Sequence, residues 1–217
     1  MNHNMTFFDE TVCCIGAHPD DIELGCGALI ADIVGQANVI CVTLSDNQKN
    51  PALSNLVEEY YNSMAILGVK PENAILHDFT TRRFQASRQE ILEVMIEIKK
   101  KYRPGIVLVH TAHDIHQDHK TVTEEALRAF RGTTLLGFDV LRSSYGFFPD
   151  FLVEVSEQAV QTKIRALKAY KTYIDKYYFD ENITYSTAIR HGALAERPFA
   201  EGFDILRIVG QFGNNCD

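Results

Sequence analysis

Four short apolar runs, at residues 11–17, 38–44, 74–78 and 106–110, alternate with four stretches of helical periodicity, at residues 28–34, 53–67, 91–101 and 122–130. This alternation leaves few folds open. Strands joined through helices run parallel, each crossover lays a helix on a sheet face, and strands covered on both faces read as unbroken apolar runs. The expected fold is α/β, a mostly parallel sheet flanked by helices. Gly68 follows the second helical stretch and Pro104-Gly105 the third, as stop signals should. After Gly132 the rhythm changes: residues 151–156 alternate apolar and polar, 157–173 have helical periodicity, and 205–209 read as a short strand. This carboxyl third is expected to extend the same sheet. With 217 residues, 46% of them hydrophobic, and no linker, repeat or low-complexity segment, residues 1–217 are read as a single domain.

The polar groups that end two of these strands carry the chemistry. Ala17-His18-Pro19-Asp20-Asp21-Ile22 places one imidazole and two carboxylates in four consecutive positions after the first strand and leads into Gly25-Cys26-Gly27. His116-Gln117-Asp118-His119 follows the fourth strand. Carboxyl ends of parallel strands face the crevice above the sheet, so two such clusters suggest one metal site. Hydrolytic zinc commonly takes three nitrogen or oxygen ligands and keeps a fourth position for water, and His18, Asp21 and His119 can supply that set. Two neutral imidazoles and one carboxylate leave the centre positive, so water there can reach a pKa of about 7 and an amide oxygen can be polarised. Fe2+ or cobalt can occupy such a ligand set too.

Asp20, left without a ligand role, is placed to accept the proton of that water. His116 as imidazolium could stabilise an oxyanion or protonate a departing amine, with Asp118 orienting it and favouring its charged form. Against this stands a plainer reading of His-Pro-Asp-Asp as a helix cap, which the second cluster weighs against. Glu23 is expected beside the site or at a helix start rather than as a fourth ligand. His110, His113 and Asp114 could line the mouth of the site but read better as ordinary polar loop residues, and Tyr170, Tyr173, Tyr177 and Tyr178 as packing residues, although a tyrosine could stack on a sugar ring.

The residues from Ala17 to Glu23 with Gly25 and Gly27, and those from His116 to His119 with Val122, resemble the LmbE/PIG-L family of zinc-dependent N-acetylglucosaminyl deacetylases. Leu67-Gly68-Val69 and Ala200-Glu201-Gly202-Phe203 add weaker support, so the likeness covers most of the chain. It implies a Rossmann-like sheet, zinc ligands at His18, Asp21 and His119, a base at Asp20 and an intermediate-stabilising histidine at His116. Residues 45–56 depart from the family pattern, with Leu56 and Val57 where many relatives carry an arginine. Arg82 and Arg83 could instead present cations to a phosphate or polar sugar substituent. Arg142 is expected at the rim, since some relatives use an arginine in this region to support the base.

The expected activity is therefore hydrolysis of an N-acetyl group from an amino sugar or sugar conjugate, giving acetate and a free amine. The alternatives are an amidase acting on a thiol-sugar conjugate and a non-catalytic Rossmann-type nucleotide-binding protein. The latter is weakened because the G-x-G-x-x-G spacing fails at Ile30. A net charge of −8 argues against nucleic-acid binding, and the basic run Lys99-Lys100-Lys101 suits a helix carboxyl end. Five cysteines without paired C-x-x-C spacing argue against a disulfide framework. No apolar stretch approaches the roughly 20 residues of a membrane span. A cytoplasmic location is expected, and a homo-oligomer is left open.

Overall fold

Strands form where the apolar runs predict them: β1 (Val12–Gly16), β2 (Val39–Thr43), β3 (Ala74–Leu76) and β4 (Ile106–His110). In the computed structural model, which describes residue 8, residues 11–47 and residues 50–210, α1 (Asp21–Ile33), α2 (Leu56–Leu67) and α3 (Arg88–Tyr102) join these strands, and α4 (Gln117–Ala129) follows β4. The four strands are parallel, with β1 between β2 and β4, and β3 on the far side of β2. Side chains alternate between the faces. Val12 and Cys14 pack with residues of α1 and α2 such as Leu29 and Tyr60, whereas Cys13 and Ile15 pack with residues of α3 and α4 such as Ile91 and Val122. Both faces are covered, which is why these runs show no polar alternation.

The change of rhythm after Gly132 hides a fifth parallel strand, β5 (Thr134–Phe138), paired with β4. The chain continues through β6 (Phe151–Glu154), α5 (Glu157–Leu167), α6 (Glu181–Leu194) and β7 (Ala200–Arg207). β7 runs antiparallel between β5 and β6, giving the sheet order β3-β2-β1-β4-β5-β7-β6. The carboxyl third thus extends the same sheet.

Several boundaries differ from expectation for identifiable reasons. β7 starts at Ala200 rather than residue 205, because Glu201 and Asp204 are buried polar residues that interrupt the apolar signal. The helix expected over 157–173 stops at Leu167 and gives way to a short 3-10 turn, Lys171–Tyr173. α6 buries Thr184, Ala188, His191 and Gly192, a face too polar to read as an apolar stripe. α1 and α4 begin earlier than their periodicity suggests, at Asp21 and Gln117, because their first turns carry the polar clusters instead of core residues. Cys13, Cys14, Cys26 and Cys41 are buried free thiols, and among the described residues no helix is long and apolar enough to cross a membrane.

From β1 the chain winds outward to β2 and β3, and from β4 it winds the other way to β5. The reversal point lies between β1 and β4, where the carboxyl ends of a doubly wound sheet part and open a crevice. Residues 18–21 leave β1 there and residues 116–119 leave β4.

Candidate metal centre and active-site cleft

Local backbone geometry aims the first cluster. Asp20 has φ 100° and ψ −30° and precedes α1 without a side-chain cap bond; for a residue with a Cβ this left-handed conformation is costly and needs surrounding support. It frees the Asp20 carboxylate to line the cleft. Asp21 opens the helix, and its Oδ2 accepts the backbone N–H of His18 at 2.8 Å, closing the His18–Asp21 turn. On the other strand, His116 is the N-cap of α4. Its Nδ1 accepts the backbone N–H of Asp118 at 3.2 Å, and His119 projects from the first helical turn.

Three donor atoms meet between the clusters. His18 Nδ1 lies 3.4 Å from Asp21 Oδ2, His119 Nε2 lies 3.4 Å from the same oxygen, and the two nitrogens are 3.3 Å apart. An ion with tetrahedral bonds of about 2.0–2.1 Å sets its ligand atoms about 3.3–3.4 Å apart, so this triangle has the dimensions of one face of such a site. His116 and His110 also stand close enough to be counted with these ligands. His110 Nε2, however, already accepts the backbone N–H of Ala17 at 3.0 Å, and His116 spends Nδ1 on Asp118.

Each histidine of the triangle is backed by a carboxylate. His18 Nε2 lies 3.0 Å from Asp118 Oδ2, and His119 Nδ1 lies 2.7 Å from Asp114 Oδ2, which also accepts the Ser143 hydroxyl at 2.9 Å. A carboxylate can only accept, so each holds the proton on the far ring nitrogen and turns the other lone pair into the triangle. Asp118 therefore does not orient the His116 ring, as the sequence suggested. Its side chain faces His18 and takes the backbone N–H groups of Arg82 and Phe84, at 2.6 and 3.3 Å, while only its backbone N–H meets His116. Asp114, read from sequence as a loop residue, is buried and stands directly behind His119 in this arrangement.

Electrostatics separate the roles. Burial, with Asp21 and Glu23 nearby, lifts the Asp20 carboxyl well above the usual carboxylate range and suits it to accept a proton. Asp21 is also buried, but His119, His110 and His18 bring it well below that range. Burial opposes a charge on His18, yet hydrogen bonds to Asp118 and Asp21 outweigh it and raise its pKa to about 9, so the site favours positive charge there. Burial with His119 and His18 beside it pushes His116 down to about 4, contrary to the imidazolium expected from a neighbouring Asp118. A neutral His116 with Nδ1 accepting carries its proton on Nε2 and serves as a hydrogen-bond donor. His110, stacked on His119 with ring centroids 3.8 Å apart, is pushed down to about 3 by burial and His119.

These groups form the floor of a cleft of about 480 Å³ whose walls include Asn47, Thr81, Arg82, Arg142, Tyr173 and Tyr178. Arg82 and Arg83 are both exposed, but Arg82 lines the cleft and Arg83 does not. Arg142 reaches the rim, donates to Tyr178 Oη at 3.1 Å and sits 5.3 Å above that ring. Tyr170 is core, but Tyr173 and Tyr178 belong to the cleft wall. Glu23 is no ligand: its Oε1 accepts Ser63 and Tyr170 hydroxyls, both at 2.6 Å, behind the turn. Gly25 and Gly27 face protein, not a phosphate cradle. A Cβ on Gly25 would stand 2.2 Å from the Phe138 ring, and one on Gly27 3.1 Å from Lys163 Cγ.

Residues 13–130 match the model of the PIG-L family, described as GlcNAc-PI de-N-acetylase. The chain is 31% identical over 169 residues to the uncharacterized deacetylase YaiS of Escherichia coli strain K12, a match covering 74% of this chain and 90% of that protein. It is 28% identical over 235 residues to the diacetylchitobiose deacetylase of Thermococcus kodakarensis, covering 94% and 85%. Among solved structures, the N,N'-diacetylchitobiose deacetylase from Pyrococcus horikoshii superposes with a TM-score of 0.74 at 18% identity, over 90% of this chain and 83% of that one.

Proposed function

Since the chain belongs to the PIG-L family of de-N-acetylases, we propose that it is a metal-dependent hydrolase that removes the N-acetyl group from an amino sugar or sugar conjugate, releasing acetate and a free amine. The observation that carries this reading is the triangle of His18 Nδ1, Asp21 Oδ2 and His119 Nε2 at the floor of a cleft, with a carboxylate behind each imidazole. Nitrogen and carboxylate donors at this spacing suit zinc, and Fe2+ suits the same set. When bound, the ion supplies a Lewis acid that acidifies water and polarises the amide carbonyl.

The chain's own residues do the remainder. Asp20, with its raised carboxyl and no ligand role, takes a proton from the attacking water. His116 Nε2–H donates a hydrogen bond to the former carbonyl oxygen as negative charge gathers on it. When the carbon–nitrogen bond breaks, the proton held by Asp20 passes to the leaving nitrogen, which departs as the amine, and Asp20 is restored. Arg82 and Arg142 at the cleft wall supply positive charge or hydrogen bonds for the sugar or its substituent.

The test is purified protein assayed for bound metal and for amine release across N-acetyl sugars, their nucleotide conjugates, diacetylchitobiose and an N-acyl thiol-sugar conjugate. Stoichiometric metal and release from an N-acetyl sugar support the reading. Release from the thiol-sugar conjugate alone moves the assignment to the amidase, and metal-free protein with no hydrolysis of any substrate overturns it.

A further inference from the structure

Helix α1 is broken five residues after it begins. Cys26 has φ −144° and ψ 23°, outside helical geometry, so the turn that bears Asp21 is joined to the rest of the helix through a kink. Breaks of this kind leave backbone groups that must find other partners. Here the partners are a buried ion pair. Lys163, from α5, donates to the carbonyl of Leu24 at 2.7 Å, and Glu201, from β7, accepts the N–H of Ala28 at 3.1 Å and of Leu29 at 2.7 Å. The two side chains meet at 2.7 Å. Leu24 and Ala28 are four residues apart, so Lys163 and Glu201 occupy the two ends of one rung of the helical hydrogen-bond ladder. Gly27 gives the lysine stem its space, since a Cβ there would lie 3.1 Å from Lys163 Cγ.

We propose that Lys163 and Glu201 are positioning residues: spliced into the break of α1, they fix the orientation of its first turn and thereby place Asp21 in the donor triangle and Asp20 over the cleft. A continuous α-helix would set that turn by its own ladder. A break interrupts that ladder, and among the described residues the charged side chains hydrogen-bonded to the backbone at the break are these two. Both are buried and neither touches the triangle, so their influence passes through the backbone from Leu24 to Asp21.

The proposal rests on the reading of Asp21 as a metal ligand, and its test separates the two. Full-length protein is loaded with Co2+, its visible spectrum recorded, and its metal affinity measured by competition with a chelator. In Glu201→Gln and Lys163→Met the affinity should weaken about 10–100-fold, the scale for groups that orient ligands, the Co2+ spectrum should change, and kcat should fall with little change in KM. Ile98→Ala, on the opposite face of the sheet, serves as a stability control that should lower Tm while keeping wild-type affinity and spectrum. The double variant Lys163→Met/Glu201→Gln leaves no unpaired buried charge, and Glu201→Asp keeps the pair but shortens its reach; both extend the measurement should a single variant not fold. Folded variants with wild-type affinity and spectrum overturn the proposal. Wild-type protein that binds no metal overturns instead the reading of Asp21.

Discussion

Asp118 holds His18: its Oδ2 lies 3.0 Å from His18 Nε2, and the same carboxylate is anchored by the backbone N–H groups of Arg82 and Phe84. From α4, on the β4 side of the reversal point, the carboxylate thus holds both the histidine after β1 and the loop after β3.

Asp118→Ala should therefore weaken metal binding about 10–100-fold, the usual cost of losing a carboxylate behind a ligating histidine. Chelator competition measures this directly. Unchanged affinity would mean that the backbone alone holds the His18 ring.

The two aspartates of the first cluster should part company. Asp21→Asn should empty the metal site. Asp20→Asn should keep the metal and lose about 10²–10⁴-fold in turnover, the scale of a general base, because an amide cannot take a proton from water. Metal stoichiometry and kcat on the same preparations decide it, and the opposite pattern would exchange the two assignments.

His116 is held near a pKa of about 4 by burial and its histidine neighbours, so it is neutral through the physiological range. Its loss in His116→Ala should lower kcat across that range without moving the alkaline limb of the pH profile. An alkaline limb that vanishes with the side chain would show that His116 acts as imidazolium in the bound complex.

His191, buried on the face of α6 that meets β7, tests linkage away from the proposed metal site. Burial, with Arg190 and Lys163 nearby, lowers its pKa to about 4 from 6.5. The unfolded chain thus binds the proton more readily, so the associated stability is present above pH 6.5 and is lost as pH falls toward 4. His191→Asn should lose less stability than wild type between pH 7 and 4.5 in urea melts of metal-free protein. Identical pH dependence would show that His191 does not contribute.

The first helical turn also has a steric requirement. Gly25→Ala places a methyl group 2.2 Å from the Phe138 ring, an overpacking that should cost about 1–3 kcal/mol or more of stability. A melt equal to wild type would mean the ring can move aside.

The parallel half of the sheet was legible because covered strands must be apolar end to end, and the two polar clusters stood out because each followed such a strand. What the sequence hid has one cause. Asp114, Glu201 and Lys163 are polar residues inside the protein, and each has a partner well along the chain: Ser143 for Asp114, and Lys163 and α1 for Glu201. Periodicity sees residue type and not partnership, so β7 was shortened and Lys163 passed as an ordinary helical residue. Asp118 was assigned to its neighbour in sequence when its side chain serves a residue one hundred positions away.

β7 is the last strand among the described residues but not an edge strand, for it fills the seam between β5 and β6. On a ribosome, the proposed ligands at residues 18, 21 and 119 emerge well before this strand, and the carboxylate at the break of α1 reaches back across 173 residues. A nascent chain stopping short of Ala200 carries all three proposed ligands yet lacks the strand that joins β5 to β6. Long-range closure of this kind comes late because its loop entropy is met only when the final contacts form. On the proposed reading of residues 18, 21 and 119, a chain that stops before β7 would carry those three groups but leave the break of α1 without Glu201.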